Sequence, residues 1–199
     1  MVAPVWAEPL TLVALGDSLT QGYGLPQAEG FVPQLEAWLR AKGADVTVVN
    51  AGVSGDTTAG GAARVDWTLT PDVDAMIVNL GGNDLLRGID PAASRANLDA
   101  ILTAADARGL PVLLVALRAP GNYGPDFKAA FDAMYPELAA KHGTLVTENF
   151  FFPLIDQNSR LLSPDLMQAD GIHPSATGVA KIVDYIGPKV LELLEKVGS

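Results

Sequence analysis

A serine within residues 16–24, GDSLTQGYG, has neighbours that suit two different roles. Ser18 follows the apolar run 10–15, and an aspartate stands directly before it. A serine in this position can cap a helix with its side-chain oxygen. It can also act as a nucleophile, provided that a base and donors for an oxyanion lie close to it. The remaining polar residues decide between these roles.

Two histidines could serve as the base. His142 stands before a glycine at the predicted end of a helix, where basic residues are common, so we assign it a structural role. His173 lies in the sequence DGIHPSATG, three residues after Asp170. Gly171 allows a turn that would bring the Asp170 carboxylate to the imidazole. The alternative for this stretch is an ordinary turn followed by a helix cap at Ser175.

Three groups are candidates for stabilising an oxyanion. The backbone amide of Ser18 would lack an intrahelical acceptor if the serine opens a helix. The amide of Gly52 is a second candidate, because a residue without Cβ lets a substrate approach closely. The side chain of Asn83 is the third, although an asparagine after two glycines is also typical of a turn.

Secondary-structure elements must position these residues. The sequence contains five short, continuous apolar runs, which is the pattern expected for strands that are covered on both faces. Helix-like stretches alternate with them, which predicts β-α-β units and a three-layer α/β/α domain with a five-stranded parallel sheet. The predicted strands are 10–15, 46–49, 75–80, 112–117 and 144–147, and the predicted helices are 31–42, 58–69, 94–108, 126–142 and 175–196.

Polar clusters follow three of these strands. Asp17 and Ser18 come after the first strand, residues 50–52 after the second, and residues 81–84 after the third. Open parallel sheets bind ligands beyond the carboxyl ends of their strands. The three clusters are therefore expected to meet at one edge of the sheet.

Composition limits the classes of partner and cofactor. The chain has 199 residues, which suits a single domain over 1–199, and its net charge of −10 disfavours binding to nucleic acid. It has no cysteine and two histidines, so neither a metal nor another cofactor is predicted. No apolar run reaches the length of a transmembrane segment. The sequence does not determine the oligomeric state.

The first residues, MVAPVWAEP, place Val5 and Ala7 where a signal peptidase requires small residues. We interpret residues 1–8 as the remnant of a secretory signal or as a disordered terminus, which predicts a periplasmic or secreted protein. The alternative is a cytoplasmic protein with a frayed terminus.

The ordered polar blocks resemble those of the SGNH, or GDSL-type, hydrolases. The matching residues are Gly16-Asp17-Ser18-Leu19, Gly52, Gly81-Gly82-Asn83-Asp84 and Asp170-Gly171-Ile172-His173-Pro174. The resemblance implies a flavodoxin-like fold and an ester-cleaving serine enzyme. It implies that Ser18 is the nucleophile, His173 the base and Asp170 its orienting partner, with an oxyanion hole formed by Ser18, Gly52 and Asn83.

The stretches NAGVSGDTT, LGGNDLLRG and RAPGNYGPDFKAAFDAMYP are similar to those of a bacterial branch of arylesterases and acyl-CoA thioesterase/lysophospholipases. That resemblance implies a small acyl or aryl ester as substrate. The loop 118–124 is expected to overhang the site, with Tyr123 in contact with the bound group. The predicted substrate-contacting residues are Leu19, Asp84, Arg118, Pro120, Asn122, Tyr123 and Ile172.

Two other functions remain open at this point. A carbohydrate O-acetyl esterase would use the same chemistry on a sugar ester. A non-enzymatic α/β binding module would use the strand ends to hold an anionic ligand, but the chain has neither of the usual glycine-rich phosphate motifs.

Overall fold

The structure, a computed structural model, describes residues 9–156 and 158–198. These residues form one five-stranded sheet and seven α-helices. The strands are β1 Leu10–Gly16, β2 Val46–Gly52, β3 Ala75–Asn79, β4 Val112–Leu114 and β5 Leu145–Val146. The helices are α1 Ser18–Gln21, α2 Phe31–Ala41, α3 Thr58–Thr68, α4 Gly82–Leu86, α5 Pro91–Asp106, α6 Pro125–His142 and α7 Ala176–Leu194.

The sheet is entirely parallel, with the strand order β2-β1-β3-β4-β5. Helices α2 and α7 pack together, and α5 packs against both α3 and α6, so helices cover the sheet. Every residue of β3 is buried, as the continuous apolar run predicts for a strand between two helical layers. The predicted α/β class and five-stranded parallel sheet are confirmed.

The register of the sheet brings the polar clusters to the same level. Gly16, the last residue of β1, pairs with Gly52 of β2 on one side and with Asn79 of β3 on the other. Strand order reverses at β1, and the crevice at such a reversal is where doubly wound sheets bind ligands. The chain that leaves β1 and the chain that leaves β3 therefore start from neighbouring points.

Two helices were not predicted, and both begin within three residues of the end of a strand. Helix α1 has four residues and α4 has five, which is too short for a helical hydrophobic period to be recognised. They carry Ser18 and Asn83, two of the candidate site residues. The structure thus uses single helical turns to direct polar side chains from the sheet edge.

His142 has the structural role that its position predicts. It is the last residue of α6, and its two ring nitrogens contact Asp106 and Asp99 of α5. Burial acts to lower the pKa of His142, but the hydrogen bonds to the two carboxylates outweigh it and the pKa is raised. The imidazole therefore joins the end of α6 to α5.

Among the described residues, no helix is long and apolar enough to cross a membrane. The interpretation of residues 1–8 as a signal remnant lies outside the described residues.

Candidate active site

The structure brings Ser18, His173 and Asp170 into one line of hydrogen bonds. His173 Nε2 lies 2.9 Å from Ser18 Oγ, and His173 Nδ1 lies 2.6 Å from Asp170 Oδ2. The serine and the histidine are 155 positions apart in the chain, so only the fold can create this contact. The arrangement matches that of a nucleophile, a base and a group that orients the base.

Asp170 is held as a carboxylate. Its Oδ1 accepts the backbone amides of Ile172 and His173 at 2.9 and 3.0 Å. The amide of His173, together with its imidazole and the amide of Ile172, lowers the pKa of Asp170 from 3.8 to about 2. A carboxylate only accepts hydrogen bonds, so Nδ1 of His173 carries the proton and Nε2 presents its lone pair to Ser18. The imidazole therefore has the tautomer of a general base.

Ser18 owes its position to the start of α1. Asp17 is the N-cap of this helix, and its Oδ1 accepts the amide of Leu19 at 3.0 Å. A Cβ on Gly16 would lie 2.0 Å from Thr20 Oγ1, so the close approach of α1 to β1 requires a glycine there. As the first helical residue, Ser18 has an amide with no intrahelical acceptor, which leaves that N–H available at the site.

The prediction for Gly52 is wrong. Its amide donates to Asn50 Oδ1 at 3.0 Å, and it does not line the pocket that contains Ser18. A Cβ on Gly52 would lie 2.3 Å from the backbone nitrogen of Gln21, so this glycine lets α1 pack directly on β2. Its lack of a side chain therefore serves packing and not the approach of a substrate.

Gly55 occupies the place that was expected of Gly52. It lines the pocket with Ser18, and no acceptor for its amide exists among residues 9–156 and 158–198. Its φ of +82° is a conformation that favours glycine. Arg64 holds this turn by an ion pair with Asp56 at 2.7 Å and by hydrogen bonds to the carbonyls of Gly16 in β1 and Ala51 in β2. The positive φ cannot be recognised from the sequence alone, although the short stretch SGDT before a helix indicates a turn.

Asn83 reaches the site from α4. Its side-chain nitrogen donates to the carbonyl of Asp56 at 2.9 Å and to Asp17 Oδ2 at 3.3 Å. The second of these is long for a hydrogen bond to a carboxylate. An oxyanion could therefore replace Asp17 as the acceptor with little loss of hydrogen-bond energy.

Asp84, predicted to contact the substrate, does not reach the pocket. Its side chain is fully buried and accepts hydrogen bonds from the amide and hydroxyl of Thr58 at 2.8 and 2.5 Å and from Ser94 Oγ at 2.8 Å. These hydrogen bonds of the Asp84 carboxylate connect α4 to the first turns of α3 and α5. Because a buried carboxylate with three donors is costly to disturb, Asp84 stabilises the segment that carries Asn83.

A pocket of about 460 Å³ opens over Ser18 and His173. Of the predicted contact residues, Leu19, Arg118, Pro120 and Ile172 line it. Most of the other lining side chains are apolar, and several had not been predicted to contact the substrate. The remaining lining residues are Asp17, Tyr23, Ser54, Gly55, Gly82, Asn83, Leu85, Leu86, Leu117, Phe151, Leu162 and Gly171.

Asn122 and Tyr123 are not among the residues that line this pocket, so the structure does not place them in contact with a group bound there. The ring of Tyr123 packs against Phe127 with centroids 4.9 Å apart, and its hydroxyl donates to the carbonyl of Leu86 at 3.3 Å. The turn Gly121–Tyr123 therefore packs down on α4 and α6, and the earlier part of the loop, Arg118 and Pro120, forms the wall.

Asp17 is the buried charge next to the candidate nucleophile. Burial raises its pKa from 3.8 to about 6, although the amide of Leu19 and the side chain of Asn83 act in the opposite direction. The folded protein therefore binds this proton more tightly than the unfolded chain. Stability is lost as the pH rises from about 4 to about 6, and the full cost remains at higher pH.

Replacing Asp17 with asparagine should remove this pH dependence. Relative to wild type, the free energy of unfolding of Asp17→Asn is expected to increase by about 2 kcal/mol between roughly pH 4 and pH 7.5, since a shift of two pKa units corresponds to about 3 kcal/mol and part of it is already lost at pH 4. Urea unfolding of both proteins at the two pH values measures it. The effect of the Asn83 contact on the two protonation states is already contained in the pKa of Asp17, so the difference between the two pH values is diagnostic. A constant difference would contradict the burial argument.

Comparison with known proteins identifies the family to which this chain belongs. A model described as the GDSL-like Lipase/Acylhydrolase family matches residues 14–181. The chain is 38% identical over 189 residues to Esterase TesA of Pseudomonas aeruginosa, covering 94% of this chain and 91% of that protein. It is 35% identical to Thioesterase 1/protease 1/lysophospholipase L1 of Escherichia coli strain K12, covering 92% and 85%.

A solved structure gives the same result for the fold. The crystal structure of AlinE4, an SGNH-hydrolase family esterase, superposes with a TM-score of 0.78 at 42% identity and covers 95% of this chain and 98% of that chain. These likenesses argue against the alternative of a non-enzymatic binding module. The chain belongs to the GDSL-like lipase/acylhydrolase family, and it is an enzyme that hydrolyses esters.

Proposed function

We propose that the enzyme cleaves carboxylic esters and thioesters through an acyl-enzyme formed on Ser18. The observation that carries this proposal is the continuous hydrogen bonding from Ser18 Oγ through the imidazole of His173 to the Asp170 carboxylate. In the first step, Ser18 Oγ attacks the carbonyl carbon of the substrate while His173 Nε2 takes its proton. The Asp170 carboxylate stabilises the imidazolium that forms.

The tetrahedral intermediate places a negative charge on the former carbonyl oxygen. We assign its stabilisation to the amides of Ser18 and Gly55 and to the side chain of Asn83. Neither amide has an acceptor within the described part of the chain, and Asn83 gives up its long bond to Asp17. His173 then returns the proton to the leaving oxygen or sulfur, and the bond to the leaving group breaks. A water molecule, activated by the same imidazole, hydrolyses the acyl-enzyme.

The shape of the pocket favours acyl or aryl groups over sugars. Side chains such as Leu85, Leu86 and Phe151 present carbon atoms, whereas a sugar is held by polar groups. The name of the relative from E. coli includes both thioesterase and lysophospholipase, which supports thioesters as substrates. A carbohydrate O-acetyl esterase is the second candidate, but the apolar lining disfavours it.

Hydrolysis rates on three kinds of substrate test the proposal. Purified enzyme is assayed on p-nitrophenyl esters from acetyl to octanoyl, on acyl-CoA thioesters of the same lengths, and on acetylated xylan. We expect cleavage of the first two classes and little release of acetate from xylan. Preferential deacetylation of xylan would favour the carbohydrate esterase instead.

Selection among acyl groups should depend on Ile172 and not on Tyr123. Ile172 lines the pocket and is 44% exposed, so its truncation removes contact with the acyl group at little cost to folding. Ile172→Ala should lower the kcat/KM ratio of octanoyl to acetyl esters by about 5- to 10-fold. Tyr123→Ala is the control and should leave this ratio unchanged. A shift of the ratio in Tyr123→Ala alone would restore the sequence-based prediction.

A further inference from the structure

We propose that Gln168 is a positioning residue that holds the His173 loop against the segment that carries Ser18. This inference rests on the proposed function, because it concerns the geometry between the proposed base and nucleophile. Gln168 is half-buried and does not line the 460 Å³ pocket. It lines a recess of about 10 Å³ beside Ser18 and His173, which is too small for an acyl group, so it acts through other residues and not on the substrate.

The side chain of Gln168 bridges two distant segments. Its Nε2 donates to the carbonyl of Tyr23 at 2.8 Å and to the carbonyl of Pro174 at 3.0 Å. Both hydrogens of one amide group are therefore used, one on each side of the Ser18–His173 contact. Tyr23 in turn donates its backbone amide to the carbonyl of Ser18 at 3.1 Å. Through Tyr23, the hydrogen bonds of Gln168 are thus connected to Ser18, the proposed nucleophile.

The backbone of Gln168 fixes the turn around the base. Its amide donates to the carbonyl of His173 at 2.7 Å, and its carbonyl accepts the amide of Gly171 at 3.0 Å. The side chain and the main chain of one residue therefore bind Gly171, His173 and Pro174 together. These contacts surround the turn in which Asp170 orients the imidazole.

No other hydrogen bond among the described residues joins segment 17–25 to loop 166–175, apart from the bond between Ser18 and His173 itself. Gly24 supports the bridge, since a Cβ there would lie 2.2 Å from Gln168 Oε1. The rings of Tyr23 and His173 also lie 4.7 Å apart, centroid to centroid. Gln168 therefore controls the distance over which the proton must be transferred.

Gln168→Met is the first test, because methionine has a similar length and donates no hydrogen bond. We expect kcat to fall on the order of 10- to 100-fold, with KM changed by less than about 2-fold, because small misplacements of reacting groups are costly. Gln34→Met is the matched control. Gln34 is also half-buried and bridges two carbonyls, those of Glu29 and Ala176, but it contacts neither His173 nor Ser18.

Gln168→Glu gives a readout that a loss of stability would not produce. An ionised glutamate offers no donor to the two carbonyls, whereas a protonated one offers a single donor. The ratio of its kcat to that of wild type should rise as the pH falls, while the ratio for Gln168→Met stays flat. This variant also replaces Gln168→Met if methionine prevents folding. Thermal unfolding of all variants confirms that each is folded at the assay temperature.

Labelling of Ser18 by a small phosphonate separates this proposal from the proposed function. If wild type is not labelled at Ser18, the proposed function fails. If wild type is labelled and Gln168→Met is labelled equally fast, the positioning role is wrong. Equal losses of kcat in Gln168→Met and Gln34→Met would overturn it as well. Slow labelling in Gln168→Met alone, with an unchanged KM, is the result that supports it.

Discussion

Ser18→Ala is expected to lower kcat/KM for esters by at least about 1,000-fold while leaving the fold intact. The variant loses the only oxygen that contacts His173 Nε2 among the described residues. It retains the three proposed oxyanion donors, which are the backbone amides at positions 18 and 55 and the side chain of Asn83. Substrate binding should therefore change little. The loss should therefore appear in kcat and not in KM.

Two measurements check this result. A small phosphonate should label wild type at Ser18, as located by mass spectrometry, and should not label Ser18→Ala. Ser163→Ala is a suitable control, because Ser163 is half-buried and lies outside the pocket. It should keep wild-type labelling and activity. Labelling at another serine, or substantial residual hydrolysis by Ser18→Ala, would show that the nucleophile lies elsewhere.

The parts of the fold that the sequence predicts correctly are those with a clear hydrophobic pattern. The buried strands β1 and β3 appear as continuous apolar runs because helices cover both of their faces. Three of the longer helices end near a basic residue and a glycine, which is a local signal. Helices α1 and α4 leave no such pattern, because one turn is too short to repeat.

The predicted site residues that do not line the pocket share a physical reason. Gly52, Asp84 and Tyr123 have chemistry that suits an active site, but each one is engaged in packing or hydrogen bonding elsewhere. Gly52 and Gly55 are three positions apart, and only the backbone conformation decides which amide faces the pocket. A sequence gives the type of residue near the site, whereas the direction of an N–H depends on φ, ψ and tertiary contacts.

Residues that act at a distance were missed for a related reason. Gln168 contacts Tyr23 across 145 positions of the chain, and Arg64 binds Gly16 across 48. Neither residue type is typical of serine hydrolysis chemistry, so no motif indicates it. Ser18, His173 and Asp170 could be predicted as a set because a nucleophile, a base and a carboxylate together suggest serine hydrolysis.

Asp170→Ala and Asp170→Asn should differ in a way that isolates the tautomer of His173. Asp170→Ala removes the acceptor for the amides of Ile172 and His173 and should both loosen the loop and lower kcat. Asparagine keeps an oxygen for these amides but turns its NH₂ group towards His173 Nδ1. The ring must then accept there and carry its proton on Nε2, where it faces Ser18. We expect Asp170→Asn to lose on the order of 10,000-fold in kcat, the scale known for this change in a serine triad.

The comparison requires that Asp170→Asn retain its fold. Its melting temperature should stay near that of wild type, whereas that of Asp170→Ala should be lower. Asp165→Asn, in the preceding turn Pro164–Leu166, is the matched control and should keep full activity, since the Asp165 carboxylate makes no hydrogen bond within the described residues. If Asp170→Asn keeps kcat within about 10-fold of wild type, then the carboxylate does not set the tautomer. Because the pKa of Asp170 is held near 2, acidification to about pH 5 cannot mimic the substitution, and activity lost there must come from another group.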